Sequence, residues 1–324
     1  MKVLVFQIGK IGDTILTTPL FANLKKFFPE SEVIVLCSPF NKDIISVDPY
    51  VDNFLVYDKK VTSTLKILLK LRLTHFDYWI DIKNEYSSTS TYFLRICNPQ
   101  LSLGFNVGKY VFDINLFDFI TGYHYIDYAT APFSFLLKEK STKDELIRRP
   151  YFIIPESIQG KYNHLRKKNP IVLLNLSTDS FARRWSFRNW KELIEYLSDR
   201  EFDIILTSLP DEKPQWIELL EETKYSNVYY VDAITIFEFA ELIKTVDILI
   251  SPDTSAIHIA SCFNKPVVSL YNNVQWNINK FAPLSNHHII LKSKERNSIN
   301  SISPHDVLES FSKLAQEITL NKKI

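Results

Sequence analysis

The sequence predicts an α/β protein built from two doubly wound domains, each with a parallel sheet. Short apolar runs alternate with helical patterns, this alternation lapses in the middle of the chain, and it then restarts. Apolar runs that alternate with helices indicate a parallel sheet covered on both faces. The chain has 324 residues, a length that suits two domains. We expect a cleft between the domains and a boundary near Pro155–Pro170.

The first domain opens with four predicted strands separated by helical patterns. The predicted strands are Val3–Ile8, Glu32–Ser38, Phe54–Tyr57 and Tyr78–Ile82. The predicted helices are Pro19–Phe28, Thr62–Leu73, Ser87–Ile96 and Tyr123–Leu137. Proline is costly inside a helix and favoured at its first position, so we expect the helix to begin at Pro19. Thr18 is then the helix cap, and Asp13 lies on the preceding loop.

The second domain repeats the alternation of strands and helices. Its predicted strands are Ile171–Leu176, Asp203–Ser208, Val228–Val231, Ile248–Ser251 and Val267–Leu270. Its predicted helices are Phe187–Asp199, Glu212–Lys224, Ile236–Thr245, Ser255–Phe263 and Pro304–Ile318. The last helix carries Val307, Phe311, Leu314 and Ile318 on one face. Ligands of such sheets bind at the carboxyl ends of the strands, so functional residues are expected on the loops that follow them.

Composition excludes several classes of protein. The 38 Lys and Arg balance the 37 Asp and Glu, which argues against a nucleic-acid partner. Cys37, Cys97 and Cys262 lie far apart without a C-x-x-C pair, so neither a zinc knuckle nor a disulfide framework is expected. The opening residues read as a strand rather than a signal peptide, and no run of about 18 apolar residues occurs. We therefore expect a cytoplasmic protein in a reducing compartment.

The first candidate motif is the segment GKIGDT at residues 9–14, directly after the first strand. It lacks the G-x-G-x-x-G spacing of a dinucleotide fingerprint and the Gly-Lys-Ser/Thr ending of a P-loop. Its glycines, Gly9 and Gly12, allow a tight turn or the close approach of a ligand. Asp13 is then a functional carboxylate at a strand end, or alternatively a helix N-cap.

The second candidate motif, FARRWSFR at residues 181–188, follows the first strand of the second domain. It gathers Arg183, Arg184 and Arg188 beside Trp185. Guanidinium groups bind phosphate oxygens with two parallel hydrogen bonds, so the loop suits a phosphate ligand. The alternative is a solvated basic loop in which Trp185 anchors the core.

The third candidate motif is SPDTSAIHIA at residues 251–260, where a strand ends and a helix begins. A helix amino terminus offers backbone N–H groups and partial positive charge to a pyrophosphate. Alternatively, Asp253 and Thr254 only cap the helix, and His258 packs in the core. Two loops suited to phosphate in one domain, with a carboxylate in the other, indicate one site. No D-x-D, G-x-S-x-G or H-x-x-x-H pattern occurs.

The three motifs together resemble glycosyltransferase family 9, the heptosyltransferases of lipopolysaccharide inner-core assembly. Residues 11–19, IGDTILTTP, are similar to the family's (I/L)-G-D-x-(L/V)-x-T-x-P pattern. The segment from Arg183 to Ser186 is similar to its K-R-W-P loop, and residues 253–266 to its D-T-G-x-x-H-x-A segment with a later proline. Softer similarity at residues 78–82 and 302–318 extends the resemblance along the whole chain in the family's order.

The resemblance implies the GT-B fold, with two facing Rossmann-like domains. Residues 1–160 would bind the acceptor and residues 161–324 the nucleotide sugar, with the final helix able to pack back on the first domain. The implied reaction is an inverting, metal-independent transfer of a sugar, heptose from ADP-heptose, to a lipopolysaccharide or lipooligosaccharide core, without a cofactor. Asp13 would be the catalytic general base. The implied nucleotide-sugar-binding residues are Gly12, Arg183, Arg184, Glu212, Asp253, Thr254, Ser255, Ala256 and His258.

The implied acceptor is an anionic glycolipid, which favours peripheral contact with the cytoplasmic face of the inner membrane. The candidate basic surface residues are Lys10, Lys25, Lys26, Lys83 and Arg95. Four departures from the family pattern affect the donor pocket. Arg183 replaces a lysine, and Ser255, Asn264 and Asn272 replace glycines. Because Asn tolerates left-handed backbone, the two asparagines are expected to preserve the turns.

Three alternatives remain at this point. The chain could be a degenerate relative that binds a nucleotide sugar without catalysis, as the lost glycines suggest. It could also be a GT-B-fold epimerase that acts on the nucleotide sugar alone. A nicotinamide oxidoreductase fits least, because the first turn lacks the required glycines.

Overall fold

A computed structural model describes residues 1–137 and 143–321. The chain forms two compact units, Met1–Ile153 and Ile154–Ile324. Each unit is a six-stranded sheet with helices, and every strand pairing in the described residues is parallel. This arrangement confirms the predicted pair of doubly wound α/β domains.

The sheet of the first unit has the strand order β3-β2-β1-β4-β5-β6. Its strands are β1 (Lys2–Gln7), β2 (Glu32–Cys37), β3 (Asn53–Val56), β4 (Tyr78–Asp81), β5 (Leu101–Gly104) and β6 (Ile114–Asn115). Its helices are α1 (Ile11–Phe27), α2 (Lys42–Ser46), α3 (Val61–Leu73), α4 (Ser88–Cys97) and α5 (Tyr125–Leu136). The order reverses between β1 and β4, which defines the topological switch point where such sheets bind ligands.

The sheet of the second unit repeats this order, read from its other edge, as β12-β11-β10-β7-β8-β9. Its strands are β7 (Ile171–Asn175), β8 (Asp203–Thr207), β9 (Val228–Tyr230), β10 (Ile248–Pro252), β11 (Val267–Tyr271) and β12 (His288–Lys292). Its helices are α6 (Phe187–Ser198), α7 (Lys213–Thr223), α8 (Ile236–Thr245), α9 (Ser255–Cys262), α10 (Gln275–Phe281) and α11 (Pro304–Asn321). Its switch point lies between β7 and β10.

The central strands are buried along nearly their whole length, as their continuous apolar runs predict. In β1 and β2, Val3 faces Val33 and Val5 faces Val35 in register, and all four side chains are fully buried. At about 25 cal/mol per Å² of apolar surface, this burial is the main favourable term in folding each unit. A rigid sheet then fixes where each strand-end loop begins.

The nine predicted strands and nine predicted helices all occur, although the start of α1 differs from the prediction. Among the described residues, three strands and two α-helices were not predicted, namely β5, β6, β12, α2 and α10. Each of the five has at most seven residues, too few for a helical or strand period to stand out. The last helix packs on α6, β11 and β12 of its own unit. No helix among the described residues is long and apolar enough to cross a membrane.

Candidate active site

Asp13 lies in the first turn of α1, whose N-cap is Lys10. The predictions that α1 begins at Pro19 and that Asp13 lies on a loop are therefore wrong. The alternative interpretation, in which Asp13 is the N-cap of the helix, is also wrong, because the N-cap is Lys10. A carboxylate in the first turn is favoured by the partial positive charge of the helix amino terminus. This position fixes Asp13 directly after the carboxyl end of β1.

The Thr18 hydroxyl offsets the hydrogen bond that α1 loses at Pro19. Proline leaves the carbonyl four residues earlier without its usual N–H donor. That carbonyl belongs to Ile15, and the Thr18 hydroxyl donates to it at 2.8 Å. The Thr18 hydroxyl also accepts from the Tyr151 backbone N–H at 3.0 Å. Thr18 is thus a residue inside the helix that compensates for Pro19, not the predicted cap.

Gly9 lets the backbone pass close to the Asp13 carboxylate. A Cβ atom at position 9 would lie 3.4 Å from Asp13 Oδ2 and 3.3 Å from Gln7 Nε2. The approach to Gln7 is tighter than ordinary van der Waals contact and the approach to Asp13 is at its limit, so a larger side chain would displace one of the two groups. The atoms that approach Gly9 here are side chains of its own unit, and the predicted approach of a ligand stays a prediction. Gly12, the second glycine of the motif, is partly exposed in the first turn of α1.

A buried polar layer underlies Asp13 at the switch point. The Thr17 hydroxyl donates to the Asp13 backbone oxygen at 2.7 Å. The Asn41 amide donates to Thr14 Oγ1 at 2.7 Å and to the Gln7 backbone oxygen at 2.8 Å. Because these groups are buried and hydrogen-bonded, they fix the first turn of α1 relative to β1.

Tyr125 and Asp81 belong to the same layer, and sequence reasoning missed both. Burial raises the pKa of the Tyr125 phenol well above its usual value. The negative fields of Asp13 and Asp81 add to that rise, while hydrogen bonds with Thr17 and Gln7 oppose it. Tyr125 therefore stays neutral. No spacing rule connects the start of α5 to the end of β1, so only the fold reveals this contact.

Asp81 is a buried carboxyl group at the carboxyl end of β4. Burial raises its pKa to about 6, although hydrogen bonds from the Ser90 hydroxyl at 2.5 Å and the Lys83 N–H at 3.0 Å oppose the rise. The sequence shows it as a carboxylate within the apolar strand predicted at Tyr78–Ile82, and the structure ends that strand at Asp81. Strongly perturbed carboxyl groups gather at functional sites, which makes Asp81 a further candidate residue.

In the second unit, one amide joins the two strands at the switch point. Asn175 ends β7, and its side-chain amide donates to Ser251 Oγ at 2.9 Å and to Thr254 Oγ1 at 3.1 Å. Ser251 and Thr254 belong to the third motif. The fold therefore brings the second and third motifs to the same end of one sheet, as predicted from strand-end placement.

Arg183 and Asp253 form the center of this cluster. The Arg183 Nη1 donates to the Asp253 backbone oxygen at 2.9 Å and lies 3.2 Å from its Oδ2 atom. The Asn277 amide donates to the same Oδ2 atom at 2.7 Å. Burial raises the pKa of the nearby Tyr271 phenol well above its usual value, the Asp253 charge adds to the rise, and the Arg183 charge opposes it. Both charges thus act within one largely buried cluster.

Arg184 pairs with Glu212, another carboxylate that the family resemblance implies. The Arg184 Nη2 lies 3.5 Å from Glu212 Oε1, and the Ser177 hydroxyl donates to Glu212 Oε2 at 2.7 Å. The Ser177 hydroxyl also accepts from the Leu209 N–H at 2.9 Å, which ties the loops after β7 and β8 together. Arg184 is about half exposed, so this pair adds little to stability.

The amino terminus of α9 carries the remaining candidate residues. Thr254 is the N-cap, and its hydroxyl accepts from the Ala256 N–H at 3.3 Å. Ser255 occupies the first helical position and is partly exposed. His258 is buried, with its ring 6.1 Å from that of Phe281. Thr254 therefore caps the helix, as the alternative interpretation of the third motif predicted. Asp253, which that interpretation also made a cap, contacts Arg183 instead.

The other members of the arginine motif have separate roles. Trp185 is buried, donates from Nε1 to the Ile302 backbone oxygen at 3.0 Å, and packs edge-on against Trp190. The core-anchor interpretation is therefore correct for Trp185. Arg188 lies exposed in the first turns of α6. Arg183 and Arg184 thus carry the motif's ion pairs with the acidic residues of the cluster.

The two asparagines that replace family glycines behave differently. Asn264 has a φ of 54°, in the left-handed region, and its Oδ1 accepts from the Asn286 N–H at 2.9 Å. The predicted preservation of the turn is confirmed there. Asn272 has no positive φ, so left-handed backbone does not explain an asparagine at that position.

The predicted basic surface is partly occupied by internal contacts. Lys25 lies 2.6 Å from Asp52 Oδ2, and Lys26 donates to the Glu145 backbone oxygen. Lys10 and Arg95 are exposed, and Lys83 is partly exposed. Within residues 1–137 and 143–321, no group of three His, Cys, Asp or Glu could hold a metal ion.

Comparison with known proteins places the chain in one family. The sequence model of glycosyltransferase family 9 (heptosyltransferase) matches residues 122–310, more than half of the chain. Lipopolysaccharide heptosyltransferase 1 of Campylobacter coli is 21% identical and aligns with 97% of this chain and 99% of its own.

Two solved structures are similar along nearly their whole length. The E. coli ADP-heptose lps heptosyltransferase II superposes with a TM-score of 0.77 at 18% identity, covering 98% of this chain and 100% of its own. The E. coli heptosyltransferase WaaC with ADP superposes with a TM-score of 0.75 at 13% identity, covering 97% of this chain and 100% of its own. These likenesses confirm the predicted GT-B fold. From the family match, the chain is a glycosyltransferase and belongs to glycosyltransferase family 9 (heptosyltransferase).

Proposed function

We propose that this glycosyltransferase transfers heptose from ADP-heptose to a lipopolysaccharide or lipooligosaccharide core acceptor. The single observation that carries the proposal is the Arg183–Asp253 cluster at the switch point of the second unit. It places a cation beside the amino terminus of α9, and both features suit a diphosphate. The named activities of the Campylobacter coli and E. coli relatives supply the donor and acceptor classes.

In this proposal the second unit binds the donor. Both contacts of Arg183 with Asp253 involve Nη1, and a guanidinium group has five N–H donors, so the group retains capacity for phosphate oxygens. Arg184 and the backbone N–H of Ser255 would add to this set. The Ala256 N–H already donates to Thr254, so it would contribute least to binding the phosphate oxygens. His258, buried behind the helix terminus, would support the shape of the pocket.

In this proposal the first unit binds the acceptor, and Asp13 is the general base. Asp13 would take the proton of an acceptor hydroxyl while that oxygen attacks the anomeric carbon of heptose. The bond from that carbon to the diphosphate breaks, and the electron pair leaves with ADP. Attack opposite the leaving group inverts the configuration at the anomeric carbon.

Charge on the departing diphosphate would be stabilised by the protein itself. Arg183, Arg184 and the amino terminus of α9 supply positive charge that is already oriented before the reaction. Glu212 would hold Arg184 in place through its ion pair. We therefore propose that the transfer requires no metal and no cofactor.

Nucleotide binding and transfer test these proposals separately. Thermal shift with ADP, UDP, GDP and CDP should show selective stabilisation by ADP that EDTA does not change. Stabilisation by another diphosphate would reassign the donor, and loss of the effect in EDTA would contradict the metal-free proposal. No stabilisation by any diphosphate would favour a degenerate donor pocket and make Ser255 the first residue to test.

Transfer of heptose to a delipidated core oligosaccharide tests the role of Asp13. Asp13→Asn should lower kcat about 100-fold to 10,000-fold with an unchanged unfolding midpoint, because it removes the base without changing the size of the side chain. The matched control is Asp43→Asn, an exposed first-turn aspartate of α2. Equal activities of the two variants would rule out Asp13 as the base. Product formed without any acceptor would favour the epimerase alternative.

The proposed acceptor is a lipid, so we also propose peripheral contact with the cytoplasmic face of the inner membrane. The basic residues that remain exposed, including Lys10 and Arg95, would favour anionic lipid and core phosphate. A wash at high ionic strength should release the chain from membranes if the contact is electrostatic.

A further inference from the structure

Helix α3 carries an apolar stripe that no described residue of its own unit covers. Val61, Leu65, Leu69 and Leu73 recur every four residues and are exposed at 74%, 60%, 62% and 75%. Scattered exposed leucines are ordinary, but four at this spacing form one continuous line along a helix. The line therefore requires an explanation.

The stripe is a second apolar face, separate from the one that packs on the core. Ile67 and Leu71 are buried in the hydrophobic core of the first unit, together with Phe93 of α4. At 100° per residue, these two side chains point away from the middle of the exposed line. Folding of the unit already buries the inner face, so it does not account for the outer one.

Positive charge adjoins the stripe. At 100° per residue, Lys66 and Lys70 lie along one side of it, and Arg72 lies within its angular range. Neither α3 nor α4, which pack together, contains an Asp or Glu. The basic residues on or next to the two helices are Lys59, Lys60, Lys66, Lys70, Arg72 and Arg95. Lys60 lies 3.7 Å from Asp58, so part of its charge is balanced. The helix thus combines an exposed apolar line with a positive border, which is the pattern of helices that lie in a membrane interface.

We propose that α3 is a surface-binding helix that holds this enzyme on an anionic lipid bilayer. The charge pattern selects this occupant over a second copy of the chain, because a symmetric dimer through α3 would bring the two sets of lysines together. Leucine side chains would enter the boundary between headgroups and acyl chains, and the lysines would contact anionic headgroups. The proposal rests on the proposed function only in so far as that function requires a lipid-borne acceptor.

Flotation of the full chain with lipid vesicles tests the apolar part of the contact. The chain should float with phosphatidylcholine–phosphatidylglycerol vesicles and bind phosphatidylcholine vesicles much more weakly. Leu65→Gln with Leu69→Gln should lower the apparent partition coefficient at least about tenfold, since both apolar side chains leave the interface. The control is Ile234→Gln in the second unit, a side chain that is 85% exposed, which should bind as the unchanged chain does.

The charge part needs its own variants. Lys66→Glu with Lys70→Glu should abolish the preference for anionic vesicles, whereas Lys191→Glu, at an exposed position of α6, should leave it unchanged. All substituted side chains are exposed, so unfolding midpoints should match. If the leucine variant nevertheless fails to fold, the lysine variant decides the question.

Three results would overturn the proposal. The first is that the unchanged chain fails to bind anionic vesicles. The second is that the leucine variant binds them as well as the unchanged chain does. The third is that the unchanged chain proves to be a dimer that the leucine substitutions dissociate. Transfer to a delipidated acceptor separates this proposal from the proposed function. The α3 variants should keep that activity, and absence of transfer in the unchanged chain would contradict the function without affecting the vesicle result.

Discussion

Arg183 and Asp253 lie 70 positions apart in the chain and meet at the switch point of the second sheet. The guanidinium Nη1 donates to the Asp253 backbone oxygen at 2.9 Å and lies 3.2 Å from the carboxylate. One side chain therefore joins the loop after β7 to the loop after β10. The same contact orients a cation beside a helix amino terminus before any ligand binds.

We expect Arg183→Met to lower transfer about 100-fold to 1000-fold, because it removes an oriented charge that would act on the leaving diphosphate. Arg183→Lys should recover part of this loss, since lysine keeps the charge but not the forked geometry. The measurement is kcat with ADP-heptose, with Arg188→Met as the matched control on the same motif. If the Arg183→Met and Arg188→Met variants lose the same small amount, Arg183 does not act on the donor.

Asn264 should accept glycine but not alanine. Its φ of 54° costs an ordinary L-residue roughly 1–2 kcal/mol, and its side chain accepts from the Asn286 N–H. Asn264→Ala should therefore lower the free energy of unfolding by about 1–2 kcal/mol, and Asn264→Gly by less. Asn272→Ala, at a position without positive φ, is the control and should change little. Denaturant unfolding measures all three, and equal losses at both positions would contradict the explanation.

Helix caps show what the sequence could predict. The helix predicted at Ile236–Thr245 occurs with the same bounds. Thr235 and Glu238 form a capping box there, a local signal that needs no knowledge of the rest of the fold. The loops after β7 and β10 were also predicted at the correct places. Their flanking strands and helices carry strong local patterns, which likewise need no knowledge of the rest of the fold.

Helix α1 and Tyr125 show where sequence reasoning stops. The rule against interior proline is correct in general, but the Thr18 hydroxyl offsets its effect on Ile15. Tyr125 reaches the Asp13 layer only through the packing of α5 against α1. Side-chain compensation and contacts across more than 100 residues leave no local pattern, so the structure was needed to find both.

Gly104→Ala should destabilise the first unit because of one aromatic ring. A Cβ atom there would lie 2.6 Å from ring atoms of the buried Phe112, so the ring must move. Overpacking of this kind costs about 1–3 kcal/mol. In a double-mutant cycle, Phe112→Ala should remove most of the penalty of Gly104→Ala.

Gly108→Ala is the control for backbone strain in that cycle. Gly108 has a φ of +67°, and a Cβ atom there would meet no described atom within 4 Å, so only conformational cost applies. Gly108→Ala should lower the free energy of unfolding by the same amount with and without Phe112→Ala. A Gly104→Ala penalty that also persists without the ring would show that space is not its cause.

Asp81 should make the enzyme less stable as pH rises from about 4 to about 6. Burial raises its pKa from 3.8 to about 6, so within this range the folded chain keeps a proton that the unfolded chain has lost. The stabilisation from protonated Asp81 is complete below its pKa in the unfolded chain and is lost as pH rises through its pKa in the folded chain. Two pKa units correspond to about 3 kcal/mol. Asp48, whose pKa burial also raises to about 6, contributes with the same sign.

Comparing the unchanged chain with Asp81→Asn isolates this contribution. Asparagine has the same shape and can still accept from the Lys83 N–H and hydrogen-bond with the Ser90 hydroxyl, but it does not titrate in this range. The free energy of unfolding, measured in denaturant at about pH 4.5 and about pH 7, should fall less for Asp81→Asn than for the unchanged chain. Asp52 and Glu238, whose pKa values are lowered, act below about pH 5 with the opposite sign, and their contributions cancel in the difference between the two proteins. Equal slopes for the two proteins would show that Asp81 is ionised in the folded state even at the lower pH.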